Sequence, residues 1–157
     1  MNTRAEINGG RRRRVFLVDH FPISRTVVAE WLKETRDLVL CGQADNVESA
    51  LASIGRLKPD VVVTEIIRQQ DLGFILGLRS RYPRLPILVF SFRDEDWYAP
   101  RALEAGADGF VEKGVDRSVL VEGIRGTLVG RVVLSPAMSR LTLKKALHSG
   151  TTSKSAG

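Results

Sequence analysis

The chain is most informative first in what it lacks. It holds a single cysteine, Cys41, in 157 residues, which excludes an internal disulfide, a four-cysteine zinc site and an iron–sulfur cluster. No apolar run approaches the roughly 18 residues needed to cross a bilayer, so no membrane partner is expected. The N-terminus opens on charge and glycine rather than on a hydrophobic stretch, so no secretory signal is read and the expected compartment is the cytoplasm. Compositional bias is also missing. Hydrophobic residues make up 43% and charged residues 27%, which excludes collagen-like and wholly disordered chains and fits one domain with a core of its own.

The net charge of +6 is unevenly placed: residues 1–14 carry +4, residues 139–157 carry +4, and residues 15–138 carry −2. The run Arg11 to Arg14 has the chemistry to touch phosphate or an acidic partner. A solvated leader that keeps the chain soluble accounts for it equally well. DNA contact through these tails is the disfavoured reading.

Between the tails, short apolar runs alternate with helical patterns. Val15-Phe16-Leu17-Val18, Leu38-Val39-Leu40-Cys41, Val61-Val62-Val63, Ile87-Leu88-Val89-Phe90 and Gly109-Phe110-Val111 read as strands. Continuous apolar runs of this kind suit strands buried on both faces. Pro22 opens a helix with Val27, Val28, Trp31 and Leu32 at helical spacing, and Asp45 with Glu48 reads as a capping box for a second helix. Further helices are expected over Leu72 to Arg81, over 95–105, after a cap at Asp116, and after Ser135-Pro136. Five strands alternating with five helices specify an α/β fold with a parallel sheet.

In such sheets ligands bind beyond the carboxyl ends of the strands. Those ends bring together Asp19 and His20, then Glu65, Ser91 and Lys113. Carboxylates suit a divalent cation, and a lysine with a hydroxyl suits an anion such as a phosphoryl group. The same residues also make a plain structural network in which Lys113 neutralises Asp19 and Glu65.

At these residues the chain resembles the receiver domain of two-component response regulators, and most of all receivers of the LuxR/NarL type. The likeness runs from about Arg14 to Pro136. It rests on Asp19, on Lys58-Pro59-Asp60-Val61-Val62-Val63, on Ser91, on Ala102-Leu-Glu-Ala-Gly-Ala-Asp-Gly-Phe-Val-Glu-Lys113, and on Gly130-Arg-Val-Val-Leu-Ser-Pro136. The resemblance implies a flavodoxin-like, doubly wound sheet of order 2-1-3-4-5. It also implies a phosphoaspartate switch with an acidic pair for magnesium, an acceptor aspartate, a hydroxyl and a lysine that hold the phosphoryl group, and an aromatic residue that turns inward on activation. Ser91, Lys113 and Phe110 match the last three, and Asp19 matches the first member of the acidic pair.

Three departures fall on the chemistry. The second acidic position is His20, which brings no negative charge to a hard cation. The acceptor position is Glu65, whose extra methylene moves the carboxylate roughly 1.5 Å, a displacement that near-attack geometry tolerates badly. The loop Ile66-Ile67-Arg68-Gln69-Gln70-Asp71-Leu72-Gly73 lacks the family's usual proline and glycine, and the stretch from Glu65 to Pro83 is shorter than in the family. The expectation is a degenerate receiver that is not an enzyme and has no cofactor, with magnesium held weakly by Asp19 or not at all. Glu65 then either mimics phosphoaspartate by reaching Lys113 and Ser91, or forms an inert ion pair.

The expected layout is a basic flexible leader over 1–13, a receiver-like domain over 14–134, a C-terminal helix over 135–148 and a disordered tail over 149–157. A helix-turn-helix output domain is expected to be missing. Cys41 reads as a core residue and His20 as a hydrogen-bonded loop residue. Trp97, Tyr98, Arg101 and Phe110 read as an interaction face on the fourth-helix to fifth-helix side. The expected function is a phosphorylation-independent interaction module in bacterial signalling, binding another signalling protein or itself. A phosphorylatable regulator in a phosphorelay is the alternative, and a transcription regulator touching DNA through basic tails is a weaker one.

Overall fold

The apolar runs form one five-stranded parallel sheet of order β2-β1-β3-β4-β5, as the resemblance implied. The structure, a computed structural model, describes residues 10–152. The strands are β1 (Arg13–Val18), β2 (Leu38–Ala44), β3 (Val61–Thr64), β4 (Ile87–Ser91) and β5 (Gly109–Glu112). The helices between them are α1 (Pro22–Lys33), α2 (Val47–Leu57), α3 (Leu72–Arg81), α4 (Glu95–Ala105) and α5 (Arg117–Leu128), followed by α6 (Pro136–Thr152).

Alternate strand residues feed two cores, because successive side chains leave opposite faces of a strand. Val15 and Leu17, with Val61 and Val63, pack against Val28 and Leu32 of α1 and Leu120 and Ile124 of α5. Phe16 and Val18, with Val62, Val89 and Phe110, pack against Ile54 of α2, Ile75 and Leu78 of α3, and Ala102 of α4. Both faces of the sheet are therefore covered, which is why the strands carry continuous apolar runs.

Polar residues set the ends of the elements. Asn46 rather than Asp45 caps α2: its Oδ1 accepts the Ser49 amide at 2.8 Å, while its own amide nitrogen bonds Asp45 at 2.6 Å. The expected capping residue was thus one position early. Asp116 stands at the N-cap of α5 but makes no side-chain capping bond. Lys58 ends α2 in the left-handed region, at φ 49°, and Asp60 two residues later accepts the Arg14 amide at 2.7 Å. Burial would raise the Asp60 carboxyl, but that amide and the Arg11 guanidinium hold it below its ordinary value. The Lys-Pro-Asp segment thus fastens the start of β3 to the start of β1.

After α5 the chain crosses back over the open edge of β5. The Phe110 amide donates to Val133 O at 2.8 Å and the Val133 amide to Asp108 O at 3.0 Å, a parallel one-residue bridge between Gly109 and Val133. Gly109 is needed for this close approach, since a Cβ there would lie 2.6 Å from Val133 O. The Ser135 hydroxyl then caps α6 by accepting the Met138 amide at 3.1 Å. α6 runs to Thr152, past the expected end at 148 and into the stretch read as a disordered tail. The rest of that tail, and residues 1–9 of the leader, lie outside the described residues.

Candidate functional site

Four of the strands carry a functional residue at or just past their carboxyl ends, so short loops bring all of them to one end of the sheet. Asp19 follows β1, Glu65 follows β3, Ser91 ends β4, and Lys113 follows β5, with its amide donating to Ser91 O at 2.7 Å. Three of these side chains meet directly. Lys113 Nζ lies 2.6 Å from Asp19 Oδ2 and also bonds Glu65 Oε2. The side chains of Lys113, Asp19 and Glu65 are 3%, 1% and 5% exposed, so this is a buried triad of two carboxylates and one ammonium.

The free valences of both carboxylates are filled locally. Asp19 Oδ1 accepts the Phe21 amide at 2.8 Å, and Oδ2 also accepts the Ser24 hydroxyl at 2.7 Å. Glu65 Oε1 accepts the amide of its neighbour Ile66 at 3.1 Å. Burial pushes the Glu65 carboxyl above its ordinary value, Lys113 opposes the rise, and Asp19 adds to it. The folded state therefore binds this proton more tightly than the unfolded chain does. The stability this contributes is complete below the ordinary glutamate range and is lost as pH climbs through the raised value. A Glu65→Gln variant lacks that titration. Its stability relative to the natural chain is expected to improve steadily from pH 4 to pH 7 in denaturant titrations; a pH-independent difference would contradict the raised value.

Ser91 belongs to the cluster as well, beside Glu65. Its hydroxyl is fully buried, donates to Ile66 O at 2.6 Å and accepts the Arg93 amide at 3.1 Å. Its proton goes to the backbone after β3, and the hydroxyl also lies close enough to Glu65 to oppose, with Lys113, the rise of that carboxyl.

Three phenylalanines that sequence reasoning passed over complete the site. The Lys113 ammonium lies 5.1 Å from the ring centres of Phe21 and Phe92 and 5.6 Å from that of Phe90, within the range of cation–π attraction. Phe21 and Phe92 meet edge to face at 6.3 Å above it. Both follow residues already singled out, His20 and Ser91, and that adjacency was the available signal.

Magnesium does not fit this donor set. The Asp19 oxygens are taken by an amide, a hydroxyl and an ammonium, His20 is exposed and supplies no carboxylate, and Lys113 occupies the charge-neutralising position. Among the described residues no group of three or more His, Cys, Asp or Glu is arranged to hold a metal ion. A cleft of about 630 Å³ does open beside Glu65, between His20, Asp45 and Arg68.

The expected interaction face divides. Trp97 is 53% exposed on α4, with the Arg101 guanidinium 3.4 Å above its ring and bonded to its carbonyl at 2.6 Å. Tyr98 is half-buried against the core. Phe110 is 1% exposed, so it is a core residue and not part of the surface, because both faces of β5 are covered. Cys41 is partly buried against the same core, and burial pushes its thiol up, as expected for a residue that is not a nucleophile.

Comparison with known proteins agrees with this geometry. The family model for the response regulator receiver domain matches residues 15–125. The response regulator GacA of Pseudomonas viridiflava is 31% identical over 135 residues, covering 83% of this chain and 63% of that protein. The nitrate/nitrite response regulator protein NarL of Escherichia coli K12 is 27% identical over 127 residues, covering 80% of this chain and 59% of that protein. The chain thus spans less than two thirds of the length of these curated relatives. A two-component response regulator of the LuxR family from Aurantimonas sp. SI85-9A1 superposes with a TM-score of 0.78 at 25% identity, over 87% of this chain and 99% of that one. No helix among the described residues is long and apolar enough to cross a membrane.

Proposed function

Since the chain belongs to the response regulator receiver domain family of two-component systems, we propose that it signals by binding, without phosphoryl transfer at the acceptor position. The observation that carries this reading is the buried Asp19–Lys113–Glu65 triad beneath Phe21 and Phe92. A working acceptor carboxylate needs an open approach for the phosphoryl donor and a cation to neutralise charge. Here the lysine is spent on neutralising two carboxylates, and the rings stand over its ammonium.

The triad acts as a lock that holds one arrangement of the loops after β1, β3 and β5. Phe110 lies inward and Ser91 is tied to Ile66 O, so the parts that a receiver would move are already engaged. Glu65 serves the lock as an ion-pair partner of Lys113. Binding falls to the α4–β5–α5 side, where Trp97 and its stacked Arg101 offer an exposed aromatic anchor of the kind that dominates interfaces. The partner is another signalling protein or a second copy of the chain.

The test is a backbone-amide NMR titration with magnesium and then beryllofluoride, the phosphoryl mimic. Amides of Asp19, Glu65, Ser91 and Lys113 are expected to stay unshifted at millimolar magnesium and after beryllofluoride. Saturable shifts clustered at those four residues would overturn the proposal and restore the switch.

A further inference from the structure

A second cleft, of about 460 Å³, lies beside β5 and α5 under the end of the crossing, at Val133 to Pro136. Phe110, Val111 and Leu134 line its apolar part, and Glu95, Glu112 and Glu122 stand around it; no lysine, arginine or histidine lines it. Glu112 accepts the Glu95 amide at 3.0 Å and Glu95 accepts the Ser135 amide at 2.9 Å. Among the described residues, Glu122 alone of these three glutamates has a cation beside it, Arg125 at 2.6 Å.

The helix that starts at this cleft has the complementary chemistry. α6 carries Arg140, Lys144 and Lys145 and no acidic residue. Among its described side chains Met138 alone is buried, in the core beside Phe110. At about 100° per residue, Arg140, Leu143 and Lys144 fall on one stripe that faces away from Met138, and Leu147 continues it. Leu143 is 60% exposed. This is the i, i+3, i+4 pattern of a helix face made for contact, with apolar and basic groups side by side.

α6 cannot turn this stripe into its own cleft, because Met138 and Ser135 root the helix at the cleft's edge with the stripe outward. We infer that a second copy of the chain fills the cleft, each copy inserting the Arg140–Leu143–Lys144 face of α6 into the acid-rimmed, apolar cleft of the other. One cleft and one helix face per copy make the contact self-complementary, so a two-fold axis closes the pair. The inference rests on the reading that this receiver binds through its α4–β5–α5 side, and it names the partner as the chain itself.

The experiment uses the full chain in analytical ultracentrifugation over a concentration series. Lys144→Glu puts acid against the acidic cleft, and Glu122→Lys puts a base against the basic helix. Each alone is expected to weaken dimerisation by about tenfold or more, tenfold being 1.4 kcal/mol. An equimolar mixture of the two variants is expected to recover the dimer, because in the mixed pair one contact is reversed on both sides and the other is natural. Leu143→Ser, which leaves the charge unchanged, is expected to weaken it as well. All three positions are exposed, and matching far-UV circular dichroism checks the fold. A chain that stays monomeric throughout, single reversals without effect, or a mixture that fails to recover would each overturn the inference. None of these results touches the beryllofluoride titration, which judges the locked site separately.

Discussion

Replacing Lys113 by methionine is expected to cost about 3–5 kcal/mol of folding stability at neutral pH, the range for removing one partner of a buried ion pair. Methionine keeps the apolar stem and the contact with Phe21, Phe90 and Phe92. What disappears is the single positive charge between Asp19 and Glu65, both of which are almost fully buried. Two neighbouring carboxylates without a cation repel one another and lose solvation together, and both effects favour protonation. The folded variant would then hold more protons than its unfolded chain, so its stability must fall as pH rises and recover on acidification. Urea midpoints at neutral and mildly acidic pH measure this directly. A variant as stable as the natural chain at neutral pH would mean that the triad is more hydrated than its burial indicates.

The second large effect concerns the other side of the sheet. Gly109→Val is expected to cost about 1–3 kcal/mol, the usual range for overpacking, and to loosen α6 selectively. The new Cβ would stand 2.6 Å from Val133 O and 2.7 Å from Val133 Cβ. Val133 can retreat only by giving up its bonds with the Phe110 amide and with Asp108 O. Ser135 and Met138 follow within one turn, so the Glu95 bond to the Ser135 amide and the burial of Met138 are put at risk together. Hydrogen exchange should show faster amides from Val133 into α6, with β1 and β3 unchanged. Uniform protection across both regions would show that the crossing is not the tether described here.

The fold was legible because its signals are local and repeated. Three- to four-residue apolar runs alternating with helical spacings permit few arrangements other than a covered parallel sheet. The order of the strands came from the resemblance and was met in the structure. The site was legible in its members and not in its contacts. Strand ends place Asp19, Glu65, Ser91 and Lys113 together whatever their rotamers, but a hydroxyl has one proton, and nothing in the sequence says that Ser91 gives it to Ile66 O. The rings over Lys113 come from two loops far apart in the chain, each contributing one phenylalanine that has no period to betray it. Phe110 was misread for a different reason. A residue matched to a mobile family position was assigned to the surface, although β5 is covered on both faces. The extra length of α6 lay beyond sequence reasoning too, since Ser149, Gly150, Thr151 and Thr152 read as a disordered tail.

The bridge at Val133 also decides how this sheet can be extended. A parallel sheet normally ends in a strand whose outward amides and carbonyls invite another strand. At β5 that invitation is answered by the chain itself: Phe110 and Asp108 already spend their outward groups on Val133. A peptide seeking to join by strand addition would find the β5 end taken and would have to displace the crossing first. β2 pairs with β1 alone among the described residues, so its outer edge is the side of this sheet left open to backbone pairing.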